Sequence, residues 1–534
     1  MQEGLRINNP IAWVHAQLQG GWRRAALIGV VYLTGVMGLL LLLYRLVVLG
    51  EGVTVKQFTA VATTTLLCVQ GGMLVLVGAS GVRRAVQRDF TSGMIDSHRL
   101  TPTTGWAAVF GYLSGPSILL VPLTSVNWLV ATTLSLAGGH PPLAWTVGLL
   151  MLACMALAIS SLSLLLSLCS RGSTNVIGLM ILIGFVFGWA LFITVPGLAL
   201  LTGFLSILTL IERAMSNALA PDVNLVFAMG GQAVLAAVVM AASSRKYLRD
   251  DVQAFSWPLG LLLLAFASAY GGLGIRLWPE YSQSISIVRA FGDTSVGLQW
   301  LATVILLTLL ALLPVTAAAQ ASARWERRCL HDPVTAGVRP MHWILVTALV
   351  VELLVVPVFV VMGDAATVST VQVNAVGAMG SAAPAPNAAA PVPIINAHVI
   401  PWVRSMIILF LGLITIGGIS RVLYRGRDKV VWFLAGWIVL AWIVPLVVDV
   451  IRAVYFDLEG TLDPSWLMGC SPVGALALLV FRPETPLMPG LVLQSVIALG
   501  LGIIWPLVDG RTTQPDEAAP PVLSESRAPD RESQ

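Results

Sequence analysis

The chain has 534 residues, of which 57% are hydrophobic and only 10% are charged, and its mean hydropathy is +0.87. Soluble domains carry about 25% charged residues, so this composition excludes a soluble globular protein of ordinary surface. The net charge of +4 does not indicate nucleic-acid binding, because no cluster of Lys and Arg is interleaved with aromatic residues. The composition predicts an all-α, polytopic integral membrane protein.

About twelve apolar runs have the length of a transmembrane helix, which is about 17 to 25 residues. Two other segments predict irregular structure: 375–393 is an Ala/Pro-rich external spacer and 511–534 is a polar, disordered tail. The predicted spans are 25–49, 58–80, 110–134, 144–168, 175–196, 225–242, 257–275, 298–319, 343–361, 402–420, 430–450 and 491–508.

The basic residues predict the orientation of these spans. Most of the 30 Lys and Arg residues fall on segments that lie on one side if the N-terminus is cytoplasmic. An excess of positive charge marks the cytoplasmic side of a membrane protein. We therefore expect an even number of spans, both termini in the cytoplasm, and a location in the cell (inner or plasma) membrane.

The loop 81–109, between the second and third spans, is the most informative cytoplasmic segment. A basic helix end is expected to run to Gly93, where a short second helix begins, and Pro102 is expected to stop that helix. Asp96 and Arg99 are three residues apart and share a face of the short helix. Two interpretations remain open: a solvated connector, or a helix that docks a partner at the membrane surface.

This loop resembles the docking segment of the type-2 family of ABC exporter permeases. That family has an acidic residue, a Gly, a Leu and a second acidic residue, then an apolar stretch, Thr/Ser-Pro, and a Gly-Lys at the third span. The corresponding residues here are Asp89, Gly93, Ile95 (in place of Leu), Asp96, Leu100, Thr101, Pro102 and Gly111. Tyr112 replaces the usual Lys, and Met94 replaces a Thr.

The N-terminus adds to the resemblance, which covers about residues 8–250. Asn9-Pro10 precedes an amphipathic helix, and a basic pair, Arg23-Arg24, leads into the first span. The residues expected to share one face of that helix are Ile11, Val14, Leu18 and Trp22.

The resemblance implies a domain organisation and a partner. Residues 1–24 are expected to form a cytoplasmic amphipathic helix and 25–250 a six-span permease-like domain. The six spans of 251–510 have no counterpart in the minimal permease, and we expect them to form a second membrane domain that is either a diverged second half or an appended domain. ATP is hydrolysed by a separate cytoplasmic ATP-binding subunit, which docks on the loop and on the N-terminal helix. The docking candidates are Asp89, Gly93, Asp96, Arg99 and Pro102.

The chain itself has no glycine-rich phosphate-binding loop with a following Lys. We therefore expect a transporter subunit rather than an enzyme, with no cofactor and no metal. The expected partners are the ATP-binding subunit and the lipid bilayer, with no nucleic acid. A homodimer, or a pseudo-dimer of the two six-span halves, remains open.

Glu352 supports an alternative function. A carboxylate in the middle of an apolar span costs about 2.5 kcal/mol or more if it is charged and faces lipid. Glu352 is therefore a candidate for a translocation pathway or a proton relay, as in a twelve-span secondary transporter, although a structural hydrogen bond also accounts for it. A non-transporting membrane scaffold is the third alternative.

Overall fold

The computed structural model describes most of the chain, with gaps. The described residues are 9–50, 52–100, 102–139, 142–170, 223–249, 252–284, 296–331, 342–355, 394–426, 430–445, 448, 466–481, 486–506 and 508. The predicted span 175–196, the spacer 375–393 and the tail 511–534 lie outside them, as does Thr101.

The described residues are helical and contain no strand. The first nine helices in chain order are α1 (Pro10–Leu18), α2 (Gly21–Leu43), α3 (Val55–Gly72), α4 (Ala79–Thr91), α5 (Met94–Leu100), α6 (Gly105–Ser114), α7 (Leu120–Ala137), α8 (Pro142–Ser170) and α9 (Val223–Leu248). The remaining α-helices are α10 (Trp257–Ser284), α11 (Val296–His331), α12 (His342–Val355), α13 (Ile394–Gly426), α14 (Val430–Ile438), α15 (Trp466–Cys470), α16 (Pro472–Phe481) and α17 (Met488–Ile497). Helices α2, α3, α14 and α17 continue as π-helical segments over Tyr44–Gly50, Met73–Gly78, Val439–Ile443 and Ala498–Ile504.

Six helical segments of the described chain are long and apolar enough to cross a membrane. Several of them expose large aliphatic side chains, and Gly21–Gly50 is covered by the rest of the chain along only a small part of its surface. In water this exposure would be unfavourable, whereas lipid accommodates it. The long apolar helices confirm the all-α fold class and indicate a membrane protein. The six segments are Gly21–Gly50, Val55–Thr91, Leu120–Ala137, Gly148–Ser170, Thr303–Glu326 and Trp402–Tyr424.

The helix that carries the second predicted span continues through α4 to Thr91, in agreement with the basic helix end predicted before Gly93. The third predicted span is divided into α6 and α7 by an irregular turn at 115–119. Pro116 lies in this turn, and a proline cannot donate the backbone hydrogen bond that a continuous helix requires.

The chain divides into two compact units. Unit 1 contains residues 1–317, 349–400 and 480–483, and unit 2 contains 318–348, 401–479 and 484–534. In unit 1, one buried apolar cluster, the inner cluster, draws side chains from six helices (α1, α4, α5, α6, α8 and α9). Its members include Ile11, Val86, Ile95, Tyr112 and Tyr247. The predicted docking segment is therefore packed onto the membrane helices rather than suspended between them.

In unit 2, α11 and α13 are joined by an ion pair between Glu326 and Arg421. The side chain of Arg421 is buried. Gly418 of α13 lies against the backbone of Gly502, so a Cβ atom at Gly418 would collide with it. Small residues of this kind let two membrane helices approach closely.

Helix α1 is fixed to α6 by a cap and by two glycines. The side-chain oxygen of Asn9 accepts hydrogen bonds from the backbone N–H groups of Ile11 and Ala12, and its amide donates to the carbonyl of Ala107 in α6. A Cβ atom at Gly111 would lie 2.8 Å from both Asn9 Oδ1 and Ile11 Cβ, and one at Gly115 would meet α1 just as closely. The two helices therefore pack with almost no space between them.

The buried face of α1 differs from the predicted one. Ile11, Ala12, His15 and Ala16 are buried, whereas Leu18 is exposed. Trp22 belongs to α2, because α1 ends at Leu18 and the chain turns through Gly20 and Gly21. Both glycines have positive φ angles, which other residues adopt only with strain. The prediction of one continuous amphipathic face was wrong because it did not include this turn.

The close packing of α1 on α6 gives a first prediction. Gly111→Val should destabilise the protein by about 1–3 kcal/mol, since its side chain would displace Asn9 and Ile11. Hydrogen exchange of residues 10–18, followed by mass spectrometry, should become faster. Gly35→Val is the matched control, because an added Cβ there meets nothing within 4 Å. Equal exchange in the two variants would contradict the packing described.

Candidate docking site

The predicted docking segment is held from inside by a buried polar cluster, which we call the Asp89 cluster: His15, Asp89 and Tyr112. Asp89 lies in the last turn of α4, His15 comes from α1 and Tyr112 from α6. The Tyr112 hydroxyl donates to Asp89 Oδ2 at 2.6 Å, and His15 Nε2 lies 3.2 Å from the same oxygen. All three residues are no more than 3% exposed.

The Asp89 cluster requires α1, α4 and α6 to remain in contact with one another. A buried carboxylate that loses its hydrogen-bond partners is costly, because it has already given up its contacts with water. The Asp89 side chain keeps its contacts with His15 and Tyr112 only while α1, α4 and α6 stay together.

Direct docking would require the Asp89 side chain to lie on the surface, whereas it lies in the interior. It was predicted to contact a partner, but its side chain is 1% exposed and points into unit 1. In this structure Asp89 can act only as a positioning residue, which holds the end of α4. Neither His15 nor Tyr112 was a predicted site residue. The signals in the sequence were a single His in the N-terminal helix and a Tyr where the similar family has Lys.

Gly93 separates α4 from α5, as the sequence predicted. Helix α4 ends at Thr91, Gly93 has a φ angle of +69°, and α5 begins at Met94. Since an added Cβ at Gly93 would meet nothing within 4 Å, the backbone angle and not the lack of space favours glycine here. Pro102 follows α5 and is exposed. The helix is thus confined to seven residues.

Two residues anchor α5 to unit 1. Ile95 is 2% exposed and belongs to the inner cluster. Arg99 donates from Nε to the backbone carbonyl of Tyr247 at 2.8 Å, and its guanidinium lies 5.8 Å from the centre of the Tyr247 ring. Arg99 Nη1 also pairs with Asp96 at 3.3 Å, on the surface. Arg99 was predicted as a partner contact, but it interacts with Tyr247 and Asp96 of its own chain.

The outer face of α5 presents an apolar tip beside a charge. Leu100, the last residue of the helix, is 89% exposed, and the side chain of Asp96 is 77% exposed. Gly93 and Pro102, at the two ends, are exposed as well. Of the five predicted docking residues, Asp96, Gly93 and Pro102 therefore lie on the surface, Arg99 is partly buried, and Asp89 is inside. Leu100 was quoted in the motif but was not predicted as a site residue.

Glu352 lies apart from this site, on the exposed side of α12. The opposite side of that helix is covered, with Trp343, Val346, Val350 and Leu354 all buried. Glu352 therefore points away from the packed interior of the described residues. Its surroundings add no support to a proton relay.

No protein-family profile, curated protein or solved structure matches the chain.

The Asp89 cluster gives a second prediction. Tyr112→Phe removes the shorter of the two contacts to Asp89, so it should destabilise the protein by about 1–3 kcal/mol. Thermal unfolding of the protein in detergent measures the change. Tyr44→Phe removes the same hydroxyl from a residue with no hydrogen bond in the described chain, and it should unfold like the original protein. If the two variants unfold alike, the buried contact contributes little.

Proposed function

We propose that the chain is the membrane-spanning permease subunit of an ABC-type exporter, which couples ATP hydrolysis by a separate subunit to substrate translocation. The observation that carries the proposal is the combination of buried anchors and exposed side chains on α5. This short helix is anchored by Ile95 and Arg99 while it presents Leu100 and Asp96 outward. A solvated connector needs neither anchor, whereas a helix that receives force from a partner needs both.

The contacts of the segment suggest how force would pass. Helix α4 is continuous with a long apolar helix, since Val55–Thr91 forms one helical segment. Movement applied to α5 would reach this helix through the short connection at Gly93, and it would reach α1 and α6 through the Asp89 cluster. Closure of the ATP-binding subunit would in this way shift membrane helices between inward-facing and outward-facing arrangements.

In the proposed assembly, Leu100 enters an apolar pocket of the ATP-binding subunit and Asp96 meets a basic residue at its rim. Covering an exposed Leu is worth about 1.5–3 kcal/mol. A charge at the rim contributes mainly to association rate and orientation. Leu100 is therefore expected to contribute more to affinity than Asp96.

The third prediction tests this interface. Leu100→Ala should weaken the association with a P-loop ATPase about tenfold, as the loss of an apolar anchor implies. The measurement is recovery of the ATPase with the tagged full-length chain from its native membrane. Leu248→Ala is the control, because Leu248 is also exposed (55%) and lies at the end of α9. Charge reversal at Arg99 is not suitable, since it would also break the bond to Tyr247.

Two results would count against the proposal. Undiminished recovery with Leu100→Ala would mean that α5 is not the docking element. Absence of any ATPase from the purified original chain would remove the exporter function and favour a secondary transporter or a scaffold.

We further propose that the chain has twelve spans with both termini in the cytoplasm, and that the protein lies in the inner or plasma membrane of the cell. The support is the distribution of Lys and Arg along the sequence.

As a fourth prediction, single cysteines at Ser381 and Ser524, in a chain without its own five cysteines, should react with an impermeant reagent from opposite sides of sealed vesicles. Reaction of both from one side would refute this topology.

A further inference from the structure

A groove of about 530 Å³ lies beside the docking segment in unit 1. Residues from the junction of α1 and α2 form one wall. The others come from α4 with the helical turn before it, and from the start of α7 with the irregular turn before it. The residues that matter here are three arginines (Arg24, Arg84 and Arg88) and three apolar residues (Ile28, Val77 and Leu123).

The polar end of the groove is positively charged. Arg24, Arg84 and Arg88 are all exposed, and no Asp or Glu lines the groove among the described residues. Arg84 bonds only within its own helix, to the carbonyl and hydroxyl of Ser80 at 3.3 Å each. None of the three guanidinium groups forms an ion pair in the described part of the chain. Together they are suited to an anion such as a phosphate, which Arg binds with two parallel hydrogen bonds.

The groove changes character along its length. Ile28 lies one turn further into α2 than Arg24, and Val77 precedes Arg84 and Arg88 by seven and eleven residues of one continuous helical segment. At 1.5 Å rise per residue, Val77 lies about 10–17 Å along the helix axis from the two arginines of α4, and Ile28 lies about 6 Å along the axis of α2 from Arg24. In α2 and in the Val55–Thr91 helix, the arginines lie nearer the end of the apolar segment and the apolar groove residue lies further in. The groove therefore matches a ligand with an anionic head and an apolar tail.

We propose that this groove binds an anionic phospholipid, with its phosphate held by Arg24, Arg84 and Arg88 and an acyl chain lying along Ile28, Val77 and Leu123. Basic pockets between membrane helices at the cytoplasmic side are suited to such head groups. A free phosphate would occupy only the arginine end and would leave the apolar wall uncovered. The proposal does not depend on the exporter function, since it needs only a chain in a membrane.

The test is native mass spectrometry of the full-length chain in mild detergent, with phosphatidylglycerol or phosphatidylcholine of identical acyl chains. We expect the original chain to retain phosphatidylglycerol at least about tenfold better. Arg84→Gln combined with Arg88→Gln should abolish this preference, because two of the three phosphate ligands are lost. Arg23→Gln combined with Arg249→Gln removes the same charge from exposed residues outside the groove, and it should leave the preference unchanged.

A charge-neutral variant provides a second measurement. Val77 is 49% exposed at the apolar end, so Val77→Trp should fill the path of the acyl chain and lower phosphatidylglycerol retention by severalfold without altering any charge. Soluble glycerol phosphate at the lipid's concentration should not displace the lipid. Three results would overturn the proposal: equal loss in the control pair, normal retention in both groove variants, or displacement by glycerol phosphate. The last would identify a phosphate site instead.

Discussion

The buried carboxylate of Asp89 is the constraint on which unit 1 depends. It is removed from water, and it therefore requires both His15 from α1 and Tyr112 from α6. These two contacts bring the N-terminal helix, the end of α4 and the start of the third membrane segment to one point. The glycines of α6 allow α1 to come close enough for His15 to reach Asp89. Helix α5 starts five residues after Asp89, so its position follows from the same contacts.

Helix α4 has two different sides, and each supports a separate proposal. Val82, Val86 and Asp89 form its inner side and are buried, which holds the proposed docking segment in place. Arg84 and Arg88 lie on its outer side and line the groove. The spacing of a helix separates these sets because residues three or four positions apart share a face. Changes at the groove arginines therefore leave the buried contacts intact, and the lipid and docking experiments report on different surfaces.

Tyr112 is the residue at which the sequence departs from the pattern of the exporter permeases that it resembles, and the structure shows what this residue contacts. Tyr112, which stands where those permeases have Lys, donates to Asp89 at 2.6 Å and also packs against Tyr247. Tyr112 therefore has hydrogen-bonding and packing partners within the chain. The part of the segment that remains free for a protein partner is the face with Leu100 and Asp96.

The sequence alone determined the membrane class, the helix break at Gly93 and the stop at Pro102. Those features follow from composition and from local backbone chemistry, which act without distant residues. Only the tertiary structure decided which polar residues face inward. Asp89 and Asp96 look equivalent in the sequence, yet one is buried and the other exposed, because a Tyr 23 residues away and a His 74 residues away meet the first. Likewise, the groove joins Arg24 to Arg84 and Arg88. Its existence depends on how α1, α2, α4 and α7 are arranged around it, which no local pattern encodes.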